Sequence, residues 1–344
     1  MPNKTHMGLP TLLTRSLSHQ PIAIHFGSDM VRMMQVKGTK ARSLLSAIEV
    51  PTSDKEAIGI AFTSFKGKRC VVSIGSENVL VQHIRVPLGI DDVDVRERLV
   101  KHDLRWGDSE IRKLCVTTTC GSVNSKQELL CIGIEREIVR QVFESIESAG
   151  GEVVSVTVPL YASLRAFNSL YRRDGDEKIT SLLIDMDETS SMVMIAHGAN
   201  CVFAHRLDTK MNYKRLEEKW KATPSLTPVS SIGMKSDRHK ENEPRGLEGV
   251  QKCDDSIEQL LKNELASCLR HHDALFPDRA VDRVIFTGVG AGNAEECSAI
   301  ASSLGIGGFI ADPSAWIDGA EGYAAGPAWT TVAGICMRYS GKIA

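Results

Sequence analysis

Short apolar, β-branched runs alternate along the chain with stretches whose apolar residues recur at helical spacing. The segment Pro21-Ile-Ala-Ile-His-Phe-Gly-Ser-Asp-Met-Val-Arg-Met-Met-Gln-Val-Lys37 reads as a strand, a tight glycine turn and a second strand. Further strands are predicted over residues 43–50, 70–75 and 78–86. A helix is predicted over 91–105, with Val95, Leu99, His102 and Leu104 set off from the charged faces. Strands over 113–119 and 127–134 follow, joined by a Gly-Ser-Val-Asn-Ser turn, then a helix over 135–149 that stops at Gly150-Gly151.

A second cycle opens with a strand over 153–159 and a helix over 160–171. Residues 179–196 then repeat the first layout of strand, turn and strand, now with an acid-bearing turn, and 199–207 adds another strand. A duplication faint in identity but clear in layout is what two related lobes leave behind. Residues 221–249 are rich in Pro, Ser, Lys and Glu and poor in apolar side chains, the composition of a disordered insert. Beyond it come a helix over 253–275, a strand running into a glycine-rich turn over 281–292, a helix over 293–304 and a short strand over 306–312. The apolar face of 327–339 is expected to close the second lobe, and residues 1–18 read as a flexible arm.

A length of 344 residues suits two domains or a pair of lobes. With 42% hydrophobic and 24% charged residues, the composition is that of a soluble globular protein. The net charge of -2 gives no drive towards nucleic acid or anionic membrane. No apolar run approaches the roughly 20 residues of a membrane helix, so direct insertion is not expected and membrane association would come through a partner. The nine cysteines form no Cys-x-x-Cys pair and read as reduced, buried thiols of the cytoplasm. His271-His272-Asp273 reads as a solvated helix end, because adjacent helical side chains point about 100° apart and do not readily share an ion.

Backbone N–H groups in glycine turns cradle nucleotide phosphates, since a side chain there blocks close approach. Three candidate turns occur: Gly27-Ser28, the stretch from Asp185 through Thr189 to Ser190, and Gly288-Val-Gly-Ala-Gly292. Their order along the chain is more specific than any one of them. In this order the chain resembles the PilM family of type IV pilus assembly, within the actin, FtsA and sugar-kinase superfamily. Ile24-His-Phe-Gly-Ser-Asp-Met-Val-Arg-Met-Met-Gln-Val36 is similar to the first phosphate turn of that family. Val79-Leu-Val-Gln-His-Ile-Arg-Val-Pro87 resembles the entry to its small subdomain. Gly133-Ile-Glu-Arg-Glu-Ile-Val-Arg140 and Ser148-Ala-Gly-Gly-Glu-Val-Val-Ser-Val156 resemble the exit. Leu183-Ile-Asp-Met-Asp-Glu-Thr189 sits at the second phosphate turn, and Val284-Ile-Phe-Thr-Gly-Val-Gly-Ala-Gly292 resembles the adenosine motif.

The resemblance implies an α/β, actin-like ATPase (ribonuclease H-like) fold. Its lobes would span 19–86 and 156–344, with a small inserted α/β subdomain over 87–155. It further implies that Gly27, Ser28, Asp185, Thr189, Gly288, Gly290 and Gly292 face ATP, with Asp185 towards magnesium. The implied role is a cytoplasmic scaffold, peripheral at the inner membrane. It would bind the N-terminal cytoplasmic peptide of a bitopic, PilN-like membrane protein in a groove between the first lobe and the subdomain, near 79–85. The cytoplasmic domain of type II secretion platform proteins is a near neighbour. Two positions depart from the family: His25 replaces the acid of Asp-x-Gly, and Asp187 replaces the glycine of the second turn. His25 lies at a strand end with no partner evident in the sequence. A carboxylate at Asp187 repels phosphate, so weak or lost ATP and magnesium binding is expected, with no catalytic residue. The alternative is an active ATPase or small-molecule kinase in which Asp29 and Asp187 replace the missing acid; a filament-forming protein is a third reading.

Overall fold

The computed structural model describes residues 20–38, 42–89, 116–123, 125–207 and 257–337. The arm at 1–18, the helix expected over 91–105 and the insert at 221–249 lie outside these residues. A first sheet contains β1 (Ile22–Phe26), β2 (Met30–Lys37), β3 (Ser43–Pro51), β4 (Arg69–Ile74) and β8 (Glu152–Thr157), in the order β3-β2-β1-β4-β8. A second contains β9 (Thr180–Met186), β10 (Ser191–His197), β11 (Asn200–Leu207), β12 (Arg283–Thr287) and β13 (Gly308–Ile310), in the order β11-β10-β9-β12-β13. The two are built alike: antiparallel hairpin strands flank one side of the central strand and parallel strands the other. β1 and β9 are buried along their whole length, the continuous apolar run of a strand covered on both faces.

Between the two sheets in sequence lies a three-stranded antiparallel sheet of β5 (Val79–Pro87), β6 (Val116–Val123) and β7 (Lys126–Ile134), in the order β5-β7-β6. Helices are α1 (Lys55–Phe62), α2 (Arg136–Ser148), α3 (Pro159–Ala166), α4 (Ile257–Leu275), α5 (Ala294–Leu304) and α6 (Thr330–Cys336). The sequence pattern assigns no element to the α1 region; the helix forms on an Asp54 cap, whose carboxylate accepts the Ala57 N–H at 2.9 Å.

Strand pairing and helix packing set where three of the predicted segments lie. Residues 79–86, assigned to the first lobe, pair with β7 and belong to the subdomain sheet. β8, split by the expected subdomain boundary and read as the start of a second cycle, pairs in parallel with β4 and completes the first sheet. The segment expected to close the second lobe does the reverse: Val332, Ala333, Ile335 and Cys336 of α6 share a core with Ala23, Met34 and Val71 of the first sheet and with Ala162 and Ala166 of α3. α3 and α6 cross so closely that a Cβ at Gly334 would lie 1.8 Å from the Ala162 carbonyl oxygen, so only glycine fits. His272 is also not solvated: it is fully buried, its ring 5.5 Å from that of Phe276, because it turns to the packed face of α4 while His271 stays out. The seven described cysteines are all free and buried, as their apolar settings predict.

Candidate functional site

The turns that follow β1 and β9 are structural equivalents. Gly27 N–H donates to the Met30 carbonyl at 3.0 Å, and Asp187 N–H donates to the Ser190 carbonyl at 3.0 Å. Thr52, just past β3, clamps the first turn, its N–H on the Asp29 carbonyl at 2.8 Å and its hydroxyl on that of Gly27 at 3.0 Å. The two turns face each other across the interlobe cleft, where Ser28 Oγ and Thr189 Oγ1 share a hydrogen bond of 2.6 Å.

Glu188 reaches from the second turn into the first. Its Oε2 accepts the Ser28 N–H at 3.0 Å and lies 3.5 Å from the Asp29 nitrogen, while Oε1 accepts from Arg32 Nη2 at 3.0 Å. Arg32, on β2 opposite His25, also meets Glu49 Oε1 at 2.7 Å. Gly27 makes room for this carboxylate, since a Cβ there would stand 2.6 Å from Glu188 Oε2 and 3.0 Å from the Met30 carbonyl oxygen. Here the absence of a side chain serves an internal ligand.

The remaining charges pack around this pair. His25 Nε2 is 3.7 Å from Asp187 Oδ2, an ion-pair distance too long for a hydrogen bond. Asp187 Oδ1 accepts the N–H of Glu188 at 3.0 Å. Asp185 pairs in register with Thr287 and accepts its hydroxyl at 2.9 Å; Ser76 Oγ lies at 3.5 Å from the other oxygen. His25, Arg32, Asp185, Asp187 and Glu188 are 3, 4, 6, 3 and 6% exposed, so these charges act through little screening water. Burial, then repulsion from Asp187, pushes the Glu188 carboxyl up to about 7, and the same two causes bring Asp185 to about 6. Burial opposes the charged form of His25, but the Asp187 carboxylate more than offsets it and the imidazole is raised. Burial likewise opposes ionisation of Asp187, yet the His25 contact carries its pKa below the usual carboxylate range. Burial also raises the carboxyl of Glu77 beside Asp187, so the cleft joins a His25–Asp187 pair to three carboxyls, Asp185, Glu188 and Glu77, that resist ionisation.

No protein-family profile matches the chain, and no curated protein matches it. Among solved structures, the PilM–PilN type IV pilus biogenesis complex aligns over 92% of this chain and 98% of that chain, at 14% identity and a TM-score of 0.69. The chain has a PilM-like, actin-like ATPase fold. Weaker likenesses are the cytoplasmic domain of EpsL, an inner-membrane component of the type II secretion system of Vibrio cholerae, and an actin-like-fold protein of unknown function from Bacteroides thetaiotaomicron. The first has a TM-score of 0.39 at 12% identity over 72% of this chain and 94% of that one; the second has 0.42 at 12% over 88% and 94%.

Within this PilM-like fold, Gly27, Ser28, Asp185 and Thr189 lie about one cleft. His25, read as lacking a partner, faces Asp187; the partner comes from the other lobe and no local pattern announces it. Asp187 is likewise turned onto His25 and its own turn. The residues of the first turn do not fit a phosphate as they stand, because Glu188 already takes the Ser28 N–H and the space over Gly27. For magnesium, Asp185 is engaged by hydroxyls, and among the described residues no three His, Cys, Asp or Glu side chains form a metal-holding group. Of the third turn, Gly288 is demanded by the backbone, at φ 83° with the Met186 carbonyl oxygen 2.5 Å from where a Cβ would sit. Gly292 has open space at that position. Glu188 and Arg32 carry the site and have no assigned role in the sequence reading. The available signal was Arg32 itself, a charge inside the apolar strand Met30-Val-Arg-Met-Met, which burial makes stable only with a carboxylate.

Proposed function

We propose that this chain is a cytoplasmic scaffold of a type IV pilus or related secretion assembly platform, peripheral at the inner membrane. It grips the N-terminal cytoplasmic peptide of a bitopic, PilN-like partner, with nucleotide and magnesium binding through Gly27, Ser28, Asp185, Thr189, Gly288, Gly290 and Gly292 weak or lost. The observation that carries this reading is the alignment of 92% of the chain with the PilM–PilN complex at a TM-score of 0.69. Two features support it. β5 is an edge strand of the subdomain sheet, the kind of element onto which an extended peptide adds. Beside it is a cavity of about 520 Å³ lined in part by Val81, His83, Phe203, Glu264 and His271, where side chains of such a peptide would seat. This cavity lies between β5 and the β11 and α4 side of the second lobe, and the groove is proposed there in place of the first-lobe side.

The test is calorimetric titration of the full chain with a synthetic peptide of the cytoplasmic N-terminus of the PilN-like protein from the same genome. Saturable binding that Val81→Glu weakens at least about tenfold is expected; no heat with any such peptide would overturn the reading. A phosphate-release assay complements it. Turnover above background that disappears in Asp185→Ala would favour an ATPase.

A further inference from the structure

A turn that binds phosphate does so by leaving backbone N–H groups unpaired and pointing into a space free of side chains. Both turns of this cleft have the shape, and in both the donor is already taken. In the first, the Ser28 N–H is 3.0 Å from Glu188 Oε2, with the carboxylate seated in the room that Gly27 leaves and its other oxygen held by Arg32. In the second, the Glu188 N–H is 3.0 Å from Oδ1 of Asp187, the residue that stands at the position equivalent to Gly27. The acceptors are consecutive residues of one turn. One serves the opposite lobe and the other its own, and the Ser28–Thr189 hydrogen bond ties the two turns directly.

We propose that Glu188, assisted by Asp187, is a resident stand-in for a nucleotide's phosphates: it fills the first turn and latches the lobes in the closed arrangement without a ligand. The geometry supports this over an ordinary interlobe ion pair for two reasons. An ion pair with Arg32 needs neither the Ser28 N–H nor a glycine at 27, and a carboxylate matches two of the acceptor oxygens that a phosphate would present to the same donors. The proposal rests on the reading of the turns as a phosphate site in shape, and it is independent of peptide binding.

Amide hydrogen exchange on the full chain, with and without millimolar inorganic pyrophosphate, tests it. In the wild-type protein the Ser28 amide should be protected with no anion present, and pyrophosphate should not change its rate. In Glu188→Ala, Ser28 should exchange faster by about tenfold or more, and pyrophosphate should restore the protection. Glu188→Gln keeps an acceptor and should stay near wild type. Exchange at Val72, in the middle of β4, reports whether the fold is intact. Pyrophosphate slowing Ser28 exchange in the wild-type protein would overturn the proposal without the need of any variant. So would unchanged Ser28 exchange in a folded Glu188→Ala protein. Loss of protection that pyrophosphate fails to restore would reduce Glu188 to a structural hydrogen-bond partner and also overturn it. If Glu188→Ala does not fold, Glu188→Ser is read against the same outcomes.

Discussion

At the scale of single residues, the cleft couples burial to proton uptake. A carboxyl whose pKa rises on folding binds more protons in the folded chain than in the unfolded one, so its contribution to stability falls as pH rises. For Glu188 that window runs from its ordinary 4.5 to about 7, and for Asp185 from 3.8 to about 6. His25, raised above 6.5, adds a loss on the alkaline side of that value with the same sign. Asp187 acts oppositely, its share being lost only as acid carries pH below 3.8 and through its depressed folded value. Chemical denaturation should therefore find the protein more stable near about pH 5 than near about pH 8. Glu188→Gln should flatten the fall between about pH 5 and 7 by roughly 1–3 kcal/mol; an equal slope in both proteins would remove Glu188 as its source.

At the scale of elements, the glycines of the third turn divide by backbone geometry. Gly288→Ala places a Cβ at φ 83° and against the Met186 carbonyl, and should cost roughly 2–4 kcal/mol in thermal or denaturant unfolding. Gly292→Ala meets open space and should stay within about 0.5 kcal/mol. Equal effects at the two positions would show that the turn is set by something other than the approach to Met186. The same distinction explains what was legible in the sequence. β1, β2, β9 and β10 announce themselves because strands buried on both faces are mostly apolar, and their turns follow from glycine or clustered acids between them. α1 escapes, since Lys55-Glu-Ala-Ile-Gly-Ile-Ala-Phe62 carries a glycine mid-helix and too short an apolar face. Glu188 escapes because adjacent acids in one loop look equally solvated until the opposite lobe supplies Arg32 and the Ser28 N–H.

At the scale of the whole molecule, what the pattern could not deliver was allegiance. Val153-Val-Ser-Val and the apolar face after Pro327 are legible as strand and helix, but the sheet each joins depends on residues far along the chain. α3 and α6 meet at Gly334, inside the core of the first sheet. Gly334→Val should destabilise the protein by about 3 kcal/mol or more, although valine is a better helix former than glycine. Increased exchange in β1 and β2 should accompany the loss; a variant that unfolds only around β9–β13 would contradict the assignment of α6 to the first sheet.

That assignment has a consequence for how the protein is made. Cys336 Sγ lies 3.9 Å from the Met34 carbonyl oxygen, 302 positions away along the chain. On the ribosome, β1 to β4 emerge early and α3 follows midway, yet the share of that face that α6 covers waits until almost all of the described chain has been synthesised. At about 5–20 residues per second this leaves Ala23, Met34 and Val71 uncovered by α6 for tens of seconds. The first sheet to be translated is thus completed only by the last described helix.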